Sequence, residues 1–101
     1  MWLIVFFDLP THTKKERKEA GLFRKKLLKN GYSMMQYSVY LRHCASSESA
    51  DAHQKRIQQM LPPSGKVSIL RITDKQYGNT LNYWGPSVVE KEPPPLQLEL
   101  F

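Results

Sequence analysis

Eight of the fifteen Lys and Arg residues fall between positions 14 and 29, KKERKEAGLFRKKLLK, against only two Glu. The remainder of the 101-residue chain is electrically balanced, so the formal net charge of +6 belongs to this one segment. Cations at such density suit a polyanion, because ammonium and guanidinium groups contact phosphates without reading sequence. Lys14, Lys15, Arg17, Lys18, Arg24 and Lys25 are the candidates. The plainer reading is a solvated helix face over a core, and the scarcity of neutralising acid favours the first. Asp8 closes an apolar run, and no second carboxylate lies near it in sequence, since Glu16 and Glu19 belong to the cationic segment. His12 is a loop histidine. His43 and Cys44 are adjacent rather than at metal-ligand spacing, which argues against zinc. Cys44 is the sole cysteine, so an intrachain disulfide is excluded and the residue reads as small and inert. Tyr37, Tyr40 and Tyr83 could stack bases or, as sheet-face aromatics, fill a subunit interface.

These residues need elements to position them. The length favours one domain, and 24% charged residues is ordinary for a folded soluble chain. No apolar run approaches the roughly 18–20 residues of a membrane span. The opening MWLIVFFD has no basic stretch ahead of its apolar residues and does not read as a signal peptide. Residues 2–7 are apolar on both faces, as in a central strand, and Pro10 cannot continue it. Thr13 with Glu16 forms a capping-box pattern for a helix over 14–29. Ala20, Phe23 and Leu27 share one face; Lys14, Lys18, Lys25 and Lys29 share the opposite one, with Arg17 and Arg24 at its edge. Gly31 suits a left-handed cap.

Residues 32–42 alternate as a half-buried strand, either one bent strand or a tight pair turning near Gln36–Ser38. A second helix is expected over 48–61, with His53 as a core residue on its apolar stripe of Ala50, His53, Ile57, Met60 and Leu61. Pro62, Pro63 and Gly65 stop it. A strand over 66–73, a turn over 74–79 and a short strand over 80–84 follow. The pattern predicts an α+β fold, an antiparallel sheet with two helices on one face. Its other face must be polar or buried in a partner. Trp2, Tyr37, Tyr40, Tyr83 and Trp84 exceed what one small core needs, which predicts a homodimer. Residues 86–101 form a Pro-rich tail, with four of the seven prolines between 86 and 95.

The apolar strand ending in Asp8, the helix with Arg17 and Arg24, KNGYSMMQYSVYLR at 29–42 and GKVSILRITDKQYG at 65–78 together resemble the CRISPR-associated protein 2 family, in its type II flavour. The resemblance covers roughly residues 1–85. It implies a ferredoxin-like fold, a homodimer packed through the sheets, and a place between dimers of a larger CRISPR integrase subunit, where the small dimer spaces a captured DNA duplex. It also implies Mg²⁺-dependent endonuclease activity on RNA or DNA with Asp8 as catalytic metal ligand. A turn residue leading into the helix is the alternative for Asp8. Mg²⁺ needs only one or two carboxylates, and a twofold axis would supply the second. A reducing bacterial cytoplasm is the expected compartment, with no membrane partner.

A nucleic-acid-binding ferredoxin-like module without a CRISPR role is the competing class; it would be expected to carry the aromatic submotifs of the common RNA-recognition fold, which are missing. The tail poses its own question. Gln97-Leu98-Glu99-Leu100-Phe101 resembles the Gln-Leu-x-Leu-Phe pentapeptide by which bacterial replication and repair proteins hold the sliding clamp. Gln97 would make polar contacts while Leu98, Leu100 and Phe101 fill an apolar pocket. The alternative is a last strand that pairs with the dimer mate or the integrase subunit by β-addition.

Overall fold

The computed structural model describes residues 1–85 in full and the backbone of residues 89–91. Its elements are β1 (Trp2–Asp8), α1 (Lys14–Lys29), β2 (Ser33–Gln36), β3 (Val39–His43), α2 (Ser47–Gln59), β4 (Lys66–Ile72), α3 (Asp74–Gly78), β5 (Leu81–Tyr83) and β6 (Val89–Lys91). The main sheet runs β2-β3-β1-β4 with every neighbour antiparallel. With one helix after β1 and one after β3, this is the ferredoxin-like arrangement.

β1 is central because both its faces are apolar. Leu3, Val5 and Phe7 point to the helices and meet Phe23 and Leu27 of α1 and Ala50 and Ile57 of α2 in one buried cluster. Trp2 and Ile4 point the other way and pack with Leu41, Met35, Ile72 and Tyr77. Both helices therefore lie on one face, as expected. The capping box is present: Thr13 Oγ1 accepts from the Glu16 N–H at 3.1 Å, and the Thr13 N–H donates to Glu16 Oε1 at 2.8 Å. Gly31, at φ +85°, turns the chain out of α1. Ser46 caps α2 through Oγ. Arg71 of β4 fastens that helix to the sheet by donating to Asp51 and Gln54, both at 2.9 Å. No helix among the described residues is long and apolar enough to cross a membrane.

Several expectations change. Of the two alternatives for residues 32–42 the tight pair is the one observed: Ser38 takes φ +62° at the turn, and its carbonyl accepts from the Phe7 N–H at 3.1 Å. The sheet thereby has its four strands without the last one, so β5 leaves it and pairs with β6 in a separate ribbon. The stretch after Thr73 is a short helix rather than a turn, because Thr73 and Gln76 form a second capping box and Tyr77 docks on Trp2, ring centroids 3.9 Å apart. Tyr40 is buried within the chain and stacks against Phe7, so it offers no face to a base. β5 ends before the expected boundary at residue 85 and β6 begins after it, while residues 86–88 and 92–101 lie outside the described ones.

Candidate functional site

Asp8 is the last residue of β1, exposed, on the sheet face away from the helices. Antiparallel pairing sets it directly opposite Lys66, the first residue of β4. Opposed residues in such a pair project from the same face. Gly65 makes the approach close. It sits at φ +92°, and a Cβ there would stand 2.7 Å from the Asp8 carbonyl oxygen and 2.8 Å from Leu9 Cδ2. Asp8 and Lys66 share an open groove of roughly 280 Å³ with Phe6, Tyr37, Val39 and Ser68. Neither has an ion-pair partner among the described residues.

The cationic helix belongs to the other layer. Lys14, Lys15, Lys18 and Lys25 are exposed on α1, and Arg24 is half-buried. Arg17 does something the sequence did not foretell: its Nη1 donates to the carbonyls of Thr11 at 3.0 Å and His12 at 3.2 Å, bracing the β1–α1 loop. Asp8 and the α1 cations are thus on opposite faces and do not form one site within a chain.

No group of three or more His, Cys, Asp or Glu is clustered for a metal among the described residues. Asp8 nonetheless fits Mg²⁺ as one ligand, being an exposed hard oxygen donor; the ion keeps its remaining waters or takes phosphate oxygens. Bound there, Mg²⁺ would acidify water and neutralise charge developing on a phosphodiester.

His53 is half-buried, as its place on the helix stripe required, but it is also a working part of a network. Its Nε2 accepts from Arg42 Nε at 3.1 Å, while Arg42 Nη1 donates to the Asn30 carbonyl at 2.7 Å. Burial, then the Arg42 and Arg56 charges, lowers the His53 pKa. Burial raises the Cys44 thiol, consistent with an inert residue. Burial also pushes the Tyr32 hydroxyl up to about 12. Two site residues, Gly65 and Lys66, were missed. The signal was available: strands of seven residues at 2–8 and 66–72, paired antiparallel end to end, bring the last residue of one against the first of the other. Gln97, Leu98, Leu100 and Phe101 lie outside the described residues.

Fold and site together define a small ferredoxin-like α+β protein with a carboxylate at the tip of its first strand and cations gathered on the helix that follows. The family model described as CRISPR associated protein Cas2 matches residues 1–80, and the chain belongs to that family. It is 54% identical over its full length to a protein of Flavobacterium psychrophilum, 88% of which is covered, and 50% identical to one of Parvibaculum lavamentivorans, with both chains covered entirely. Both relatives are named CRISPR-associated endoribonuclease Cas2. The crystal structure of Streptococcus pyogenes Cas2 at pH 6.5 superposes with a TM-score of 0.57 at 21% identity, covering 81% of this chain and all of that one; it bears out the fold.

Proposed function

We propose that the chain serves CRISPR adaptation as a homodimer joined through the open sheet face, binding duplex DNA along α1 and bridging dimers of the larger integrase subunit during spacer integration. One observation carries this reading: the two functional surfaces lie on opposite layers. Leu70 remains 49% exposed on the sheet face, an apolar residue outside the Asp8 groove that a second copy would cover. The helix layer then faces outward in both copies, and its lysines form a continuous cationic track for phosphates. Lysine stems reach the backbone of a duplex whatever its sequence, which suits a subunit that must accept any fragment.

Mg²⁺-dependent endonuclease activity at Asp8 is the second reading, favoured by the Asp8–Lys66 groove and by the names of the relatives. In it Asp8 holds the ion, and a sheet-packed dimer brings a second Asp8 towards the first. Asp8→Asn separates the two. The scaffold predicts unchanged duplex binding and integration with the partner subunit. Loss of integration together with loss of Mg²⁺-dependent cleavage would make the nuclease primary. The sliding clamp and the integrase remain the proposed alternatives for the tail. Gln97→Ala with Phe101→Ala, assayed against purified clamp and integrase separately, distinguishes them, because strand addition rests on backbone hydrogen bonds and the pentapeptide does not.

A further inference from the structure

We propose that Lys66 is the phosphate-gripping residue of the Asp8 groove, its ammonium taking a phosphate oxygen of a nucleic-acid strand whose metal-facing oxygen lies toward Asp8. The inference rests on the reading of Asp8 as a divalent-metal ligand. It starts from the register, which sets a carboxylate and an ammonium across from each other on one face at the mouth of one groove. The placement is built in. Gly65 lets β4 begin against the Asp8–Leu9 backbone, which a Cβ at that position would strike.

The two charges do not close on each other, and neither is spent elsewhere among the described residues. An anion and a cation held close but unpaired match a phosphodiester bound to a metal: the metal takes the carboxylate, the ammonium takes the phosphate. Lysine suits the second role as a flexible point charge. Ser68, two residues on and on the same face, adds a hydroxyl to the groove wall. A lysine on an edge strand also discourages unwanted strand pairing. That role is indifferent to metal and phosphate, so experiment separates the two.

The distinguishing feature is sign. The Lys66 ammonium repels a divalent cation arriving at Asp8 and attracts a phosphate, so removing it should tighten one ligand and loosen the other. A structural defect would weaken both. The test compares the full chain with Lys66→Gln, Lys66→Arg, Asp8→Asn and Lys55→Gln; the last removes the same charge from an exposed position on α2. Mn²⁺ binding is measured without nucleic acid by electron paramagnetic resonance. Binding of a short single-stranded oligonucleotide is measured by fluorescence anisotropy, in EDTA and in Ca²⁺.

Lys66→Gln is expected to tighten Mn²⁺ about threefold and to weaken the oligonucleotide about tenfold. Lys66→Arg should restore both, and Lys55→Gln should leave Mn²⁺ unchanged. The proposal is overturned if Lys66→Gln moves neither ligand or both in the same direction, or if Lys66→Arg restores nothing. If the wild type binds no Mn²⁺ beyond what Asp8→Asn binds, the metal reading of Asp8 fails; the EDTA arm then decides Lys66 alone, a tenfold loss supporting it and no loss overturning it. Should Lys66→Gln melt below the wild type, Lys66→Met, which keeps the aliphatic stem, takes its place.

Discussion

Arg42 ties three elements together. From β3 it reaches His53 on α2 and the carbonyl of Asn30 at the end of α1. The contact requires an unprotonated Nε2 on His53, and burial, then the flanking Arg42 and Arg56 charges, oppose protonation. The folded pKa lies below the ordinary 6.5, so between the two values the unfolded chain binds more protons and stability rises with pH. The contribution is whole above pH 6.5 and is lost as pH falls from there through the folded value. Denaturant melts across that range should show the loss, and His53→Gln should flatten it. Gly31, beside the same guanidinium, sits at φ +85°, which disfavours side chains, and a Cβ there would also push Arg42 off its partners. Gly31→Ala is expected to cost about 2–4 kcal/mol, read as a shift in the urea midpoint.

At the scale of the element, α1 separates cations that hold the fold from cations free to act. Arg17 is exposed but braces the loop through its hydrogen bonds, whereas Lys14, Lys18 and Lys25 are exposed with no such bond among the described residues. Changing these three lysines to Gln should weaken duplex binding equally for all sequences and make the slope of log affinity against log salt shallower by about 2.7, three phosphates' worth of released counterion. Titration of two unrelated duplexes at several salt concentrations checks both parts. The contribution of α3 is structural, for it brings Tyr77 over Trp2 and closes the second core cluster on the sheet face. Tyr77→Ala should cost about 3 kcal/mol by thermal or urea melting, with duplex affinity retained.

Across the whole molecule, the exposed apolar residues are unevenly divided. Trp2 and Tyr40 are accommodated within the chain, whereas Tyr37, Tyr83 and Trp84 are exposed, with Tyr37 at 77%. Leu70 stands on the sheet face proposed to meet a second copy. Leu70→Glu should shift the chain from dimer to monomer in sedimentation equilibrium and lower its melting temperature to a value that no longer depends on protein concentration, because association stabilises the folded state. A monomeric wild type would overturn the dimer.

Much of this was legible in the residues because the forces involved are local. A capping box acts across three residues, as at Thr13 and Glu16. An apolar stripe repeats every helical turn, so Ala20, Phe23 and Leu27 were identifiable as the buried face of α1. The both-sided apolarity of residues 2–7 announced the central strand for the same reason. Asp8 was visible as a lone carboxylate, and the charge of the cationic segment could be counted directly. Contacts between distant segments were a different matter. That Lys66 lies across from Asp8 follows from a register settled by the pairing of β1 with β4. That Arg17 braces a loop while Lys18 stands free follows from the path the chain takes before α1. His53 could be placed on an apolar stripe, but its partner Arg42 could not, because strand alternation assigns a side chain to a face without saying which helix residue it meets there. Helical periodicity and caps are short-range properties of the chain; cross-strand pairing and interlayer hydrogen bonds exist only once loops have closed and segments far apart in sequence pack together.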